Sequence, residues 1–82
     1  MPAVFKFDGL RVVIYPNDHR PGHVHVIGRG REAVFILNCQ RGPVELRENY
    51  RFSGRELARI EEELRENLDT LCKVWEEIHG TS

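Results

Sequence analysis

In the first half of this chain, apolar positions come in short blocks separated by turn signals. Ala3-Val4-Phe5-Lys6-Phe7 reads as a strand, and Asp8-Gly9 is a strong two-residue hairpin signal. Leu10 to Tyr15 is apolar at most positions, as an interior strand would be. Pro16-Asn17-Asp18 opens a loop that Pro21-Gly22 closes. His23-Val24-His25-Val26-Ile27 alternates with period two, which sends Val24 and Val26 to one face and His23, His25 and Ile27 to the other. A Gly28-Arg29-Gly30 turn leads into a fourth strand, Arg31 to Leu37. After a loop from Asn38 to Gly42, Pro43-Val44-Glu45-Leu46 makes a brief edge strand, since proline cannot donate to a ladder. Arg47 to Phe52 then reads as a polar connection. Consecutive short strands with tight turns predict an antiparallel meander.

The last third changes period. Ser53-Gly54-Arg55-Glu56 matches a capping box, and Phe52 with Leu57 suits a hydrophobic staple. Leu57, Ile60, Leu64, Leu68, Leu71, Trp75 and Ile78 then recur every three or four positions, which is one face of a helix, and Gly80 is a good residue to end it. The prediction is therefore α+β in a single domain, 1–82: a four- to five-stranded antiparallel meander sheet (3–46) with one long C-terminal helix (53–79) packed on one face. Such a helix would be about 39 Å long at ~1.5 Å per residue. A domain of this size is only roughly 30 Å across. The helix must overhang the sheet, kink around Asn67 to Thr70, or pack on another subunit.

Composition narrows the class. At 82 residues the core is thin, and a partner subunit, including a homodimer mate, would add stability. The longest strictly apolar run, Ala33 to Leu37, is far too short for a bilayer, so no membrane association is expected. No basic stretch followed by an apolar one opens the chain, so a cytoplasmic location is expected. Cys39 and Cys72 belong to no metal or redox spacing, which in a reducing compartment predicts two free thiols. Net charge is −1, yet residues 1–52 hold eight basic and five acidic side chains, and residues 53–82 hold four and eight. Of the eight basic residues, seven are arginine: 11, 20, 29, 31, 41, 47 and 51. Arginine suits bidentate phosphate contacts, so Arg20, Arg29 and Arg31, near the histidines, are candidates for an anion or nucleic-acid contact.

Three of the four histidines, His19, His23 and His25, fall within seven residues. Imidazole ligates metals and moves protons near neutral pH. One reading is a metal site, zinc for instance, with His19, His23, His25 and Asp18 as ligands and an open position for chemistry of a small metal-dependent hydrolase. A second makes His23, His25 and His19 general acids and bases acting on RNA, with the arginines holding phosphate. A third leaves the histidines as ordinary side chains in a non-catalytic interaction module. His79 is explained by the helix dipole, and Trp75 by a core or dimer contact.

The opening M-P-x-[VI]-F-x-F-x-G-[LF]-R-V, the segment I-Y-P-N-D-H-x-P-x-H-V-H-V, the L-N-C triplet and the closing W-E-E-I-H-G together resemble a bacterial family catalogued as domain of unknown function 4160. The resemblance runs from Met1 to Gly80. H-x-P-[PG]-H-x-H, here His19 to His25, is its most specific part; the residues carried over from the family pattern are Asp18, His19, Pro21, His23 and His25, with Trp75 and His79 at the end. Gly22 stands where a second proline is expected. The resemblance implies a small soluble protein encoded beside another small protein, as in a toxin–antitoxin-type pair. Its partner would then be a small cognate protein, and RNA is the expected target if the chain acts on one.

Overall fold

Two tight turns and one proline loop set the sheet. The computed structural model describes residues 3–39 and 42–80. Met1 and Pro2 of the opening motif and Arg41 of the basic set lie outside these described residues. Strands β1 (Ala3–Phe7), β2 (Leu10–Val13), β3 (His23–Gly28), β4 (Arg31–Ile36) and β5 (Glu45–Tyr50) form one antiparallel sheet in chain order. Asp8 and Gly9 both have positive φ, 51° and 78°, as a two-residue turn matching strand twist requires. Arg29 and Gly30 repeat the device between β3 and β4.

Val24 and Val26 of β3 are fully buried, together with Val12, Ile14, Ala33, Phe35 and Leu37 from neighbouring segments. Helix side chains Ile60, Leu64, Leu71 and Trp75 close this core from one side. The predicted face assignment of β3 therefore holds.

Three expectations need correction. The fifth strand is not the brief Pro43 to Leu46 segment. It runs from Glu45 to Tyr50, and so takes in residues expected to be a connection. Its register against β4 shifts between Val34↔Glu48 and Phe35↔Leu46, which leaves Arg47 in an irregularity. Every side chain of β5 is exposed, so the strand is held by backbone pairing and shows no apolar alternation.

The long helix is also two helices, α1 (Gly54–Glu66) and α2 (Leu68–His79). Asn67 breaks the run with φ −111° and ψ 17°, and its side-chain amide donates to the Glu63 carbonyl at 2.9 Å. That bond satisfies one carbonyl orphaned by the break. A straight helix of about 39 Å would exceed the longest dimension of the molecule, 35 Å. The break lets both halves lay their apolar faces on one small sheet.

The cysteines, finally, are not free: Cys39 and Cys72 form a disulfide, with Cα atoms 5.8 Å apart. The loop after β4 sets Cys39 against α2, a juxtaposition that spacing along the chain does not reveal. No helix among the described residues is long and apolar enough to cross a membrane.

The capping box is present as read. The Ser53 amide donates to Glu56 Oε1 at 2.9 Å, and the Glu56 amide donates to Ser53 Oγ at 3.1 Å. The Ser53 amide holds the Glu56 carboxyl below the ordinary glutamate range against partial desolvation, and the Arg31 guanidinium, 2.7 Å away, acts in the same direction. Ionised Glu56 therefore stabilises the fold above the ordinary glutamate range. That contribution disappears as pH falls through the lowered folded value. Glu56→Gln should flatten this part of a plot of urea midpoint against pH, and an unchanged acid limb would remove the capping box as its source. Ser53→Ala should cost about 1 kcal/mol at neutral pH. Reducing the disulfide releases a loop of 33 residues. It should lower stability by about 2–4 kcal/mol, read as a drop in urea midpoint accompanied by a mass gain of about 2 Da for the two hydrogens added. Equal midpoints in oxidised and reduced protein would show that the crosslink contributes nothing.

Candidate metal centre

The face of β3 opposite the core carries His23 and His25, whose ring centroids are 5.3 Å apart. His25 sits between its cross-strand neighbours Val13 and Val34, both buried. This face is therefore not a flat, open sheet surface. The segment that follows β2 folds back over it, bringing the Tyr15 ring edge-on to His25 at 4.9 Å.

A turn at Tyr15-Pro16-Asn17-Asp18 makes that return. Proline at its second position presets φ, and an aspartate at the end can bond back to the turn. The Asp18 amide donates to the Tyr15 carbonyl at 3.0 Å, and the Tyr15 amide donates to Asp18 Oδ2 at 3.1 Å. The carboxylate is thereby fixed above the histidine pair. Asp18 Oδ2 lies 3.5 Å from His23 Nε2 and 3.3 Å from His25 Nε2.

The other nitrogen of each ring is already committed. His23 Nδ1 lies 2.8 Å from the Pro21 carbonyl, and a carbonyl can only accept, so Nδ1 carries the hydrogen. His25 Nδ1 lies 3.2 Å from Glu32 Oε2 and donates to that carboxylate. In the neutral rings both Nε2 atoms are then lone-pair donors to whatever faces them. Asp18 Oδ2, close to both, offers another lone pair. The three ligand atoms lie within 4.8 Å of one another.

Neither approach to Asp18 is a hydrogen bond. His25 Nε2 is buried and has no hydrogen-bond partner among the described residues, although Oδ2 is only 3.3 Å away. The oxygen lies off the direction in which a ring hydrogen would point. His23 is 7% exposed, while the side chains of His25 and Asp18 are 17% and 14% exposed. The group is reachable from solvent but mostly withdrawn from it.

Of the candidate residues, the structure thus brings together Asp18, His23 and His25. His19 is exposed and stands outside the group. The arginines do not gather there either. Arg31 pairs with Glu56 on α1, Arg20 donates to the Gly80 carbonyl at 3.1 Å, and the Arg29 guanidinium lies over Gly9 in the first turn. Glu32 was missed by sequence reading. The Arg29-Gly30 turn pairs Gly28 with Arg31, hence Ile27 with Glu32, and so puts Glu32 on the histidine face. Trp75 and His79 were seen, but not their place: Trp75 packs 5.5 Å from His23 and stacks on His79 at 3.9 Å.

The family model of a domain of unknown function, DUF4160, matches residues 9–76. No curated protein and no solved structure gives a significant match. The family match spans β2 to α2 and includes all three clustered residues, and this chain belongs to the DUF4160 family.

Proposed function

We propose that this protein binds a divalent transition metal through Asp18 Oδ2, His23 Nε2 and His25 Nε2. One observation carries the reading: both Nδ1 atoms are tied to acceptors, which leaves both Nε2 lone pairs free within 3.5 Å of a fixed carboxylate. Three acceptors facing one another in a half-buried site repel. A cation among them turns that repulsion into ligation.

The spacing agrees. Ligands at ~2.0–2.1 Å from a tetrahedral zinc lie about 3.3–3.4 Å apart along each edge. The two carboxylate–imidazole separations, 3.3 and 3.5 Å, match such edges. Two imidazoles and one carboxylate are a donor set that zinc and iron(II) both accept. The surroundings also fit, because metal-bound histidines usually donate their second nitrogen to a carbonyl or carboxylate. Pro21 and Glu32 supply those acceptors, and the Tyr15 amide orients Asp18.

A metal held by three protein ligands keeps a position for water or substrate, and zinc so held lowers the pKa of its water. The reaction class this supports is metal-assisted hydrolysis at the mouth between Asp18 and His25. The cognate protein partner and RNA target implied by the family resemblance draw on no geometry of this site, and metal binding stands independently of them.

Purified without added metal, then dialysed against zinc, the protein should hold about one equivalent by elemental analysis. His25→Ala and Asp18→Ala should each abolish that stoichiometry, while His19→Ala should leave it intact. Loss of zinc in His19→Ala alone would move the site to the loop, and absence of zinc from the unmodified chain would refute the proposal. Glu32→Gln keeps the size of the acceptor but removes its charge, and should weaken zinc binding roughly 10–100-fold, measured by competition with a chromophoric chelator.

A further inference from the structure

A second site lies at the other side of His23, around the end of α2. A cavity of 320 Å³ opens there between the Arg20-Pro21-Gly22 segment, Ile36, the loop at Asn38-Cys39, and Trp75, Glu76 and Gly80 of the helix end. Its volume falls at the lower end of the roughly 300–1,000 Å³ typical of small-molecule sites. Gly22 lies against the Trp75 ring at one wall, where a Cβ would sit in ordinary van der Waals contact at 3.4 Å.

Three features of the lining are unspent. Trp75 is 3% exposed, yet its indole N–H has no acceptor among the described residues. A buried donor left without a partner costs about 1–3 kcal/mol, so an acceptor entering the cavity would be favoured. Arg20 has five N–H donors, and the one bond recorded for it goes to the Gly80 carbonyl. Glu76 lines the same space, and among the described residues neither it nor Arg20 belongs to an ion pair. Opposite charges thus border one cavity without meeting. Arg20 already sits at the C-terminal end of α2 through its bond to the Gly80 carbonyl, so Glu76 is the group left for a ligand cation. Pro21, Ile36 and Trp75 supply the apolar part of the lining.

We infer that this cavity binds a small zwitterion, a free α-amino acid with an apolar side chain. Its carboxylate accepts from Arg20 and the Trp75 indole N–H, its ammonium lies toward Glu76, and its side chain rests against Pro21 and Ile36. A ligand with one charge only would leave either Arg20 or Glu76 unanswered. The inference uses none of the metal ligands and does not depend on the metal reading.

Trp75 is the single tryptophan of the chain, so its emission reports on the cavity directly. The unmodified protein, in a chelating buffer so that no metal takes part, would be titrated with L-leucine. Two analogues carrying the same apolar body and one charge, 4-methylpentanoate and 3-methylbutylamine, would be run beside it. Saturable change with leucine in the millimolar range, and at least tenfold weaker binding of each analogue, is expected. Arg20→Gln and Glu76→Gln, both at exposed positions, should each weaken leucine binding at least tenfold with the far-UV spectrum unchanged. No saturable change with leucine, or binding of the pentanoate as tight as that of leucine, would overturn the inference even if neither variant could be made.

Discussion

The register of β3 governs the rest of this molecule. Val24 and Val26 must enter the core, because the apolar faces of α1 and α2 cover that side of the sheet. Period-two geometry then leaves His23 and His25 no choice of face. A slip by one residue would bury two imidazoles among aliphatic side chains and expose two valines. The two-residue turn at Arg29-Gly30 guards against such a slip, since it pairs Gly28 with Arg31 and carries the pairing down to His23↔Ile36. The same constraint aligns Glu32 beneath His25. Hydrophobic burial on one face thus positions polar chemistry on the other, though no histidine takes part in the burial that orders it.

Orientation is a separate matter from position. A histidine on a sheet face can turn its ring about χ2, and neither nitrogen is favoured by the strand itself. Here the Pro21 carbonyl and the Glu32 carboxylate select Nδ1 as donor in both rings. The price of this selection is electrostatic: both free nitrogens lie close to Asp18, whose oxygen is held in place by the Tyr15 amide. Water reaches the group only in part, so solvent screens the mutual repulsion incompletely. Three unpaired acceptors gathered in this way support the proposed cation site, and their ordering lies in the turn, the loop and the neighbouring strand rather than in the three residues themselves.

Strand faces, tight turns and the helix cap were legible because each depends on residues within a few positions. Asp8-Gly9, Ser53 with Glu56, and the alternation of β3 are local devices, and all three stand as read. Asp18 and the histidine pair were legible as a cluster. The distinction between Asp18 and its neighbour His19 was not, since it rests on which side chain the Tyr15 turn points inward. Glu32 was available from the turn length but required following register across two strands. The fifth strand hid because an exposed edge needs no apolar period. The break at Asn67 was one of three outcomes open to a helix too long for its sheet, and only the packing of both halves selects among them. The disulfide was hidden for a related reason: its partners meet only after α2 has docked.

That docking joins the two ends of the site region. Had the helix continued straight past Glu66, the residues of α2 would have run off the sheet. Turning at Asn67 instead brings Leu71 and Trp75 down on the core, and the Cys39–Cys72 bond ties α2 to the loop after β4. Trp75 then fills the gap between Gly22 and His79 and rests against His23. It therefore belongs to both regions, packing against His23, a proposed metal ligand, and lining the mixed-charge cavity. Pro21 has a similar double place, since its carbonyl orients His23 while the residue itself lines the cavity. The segment from Asp18 to His25 therefore serves two surfaces at once. Asp18, His23 and His25 form the carboxylate–imidazole group, while the run between them, Arg20, Pro21 and Gly22, lines the cavity, so a change in the path of this segment acts on both.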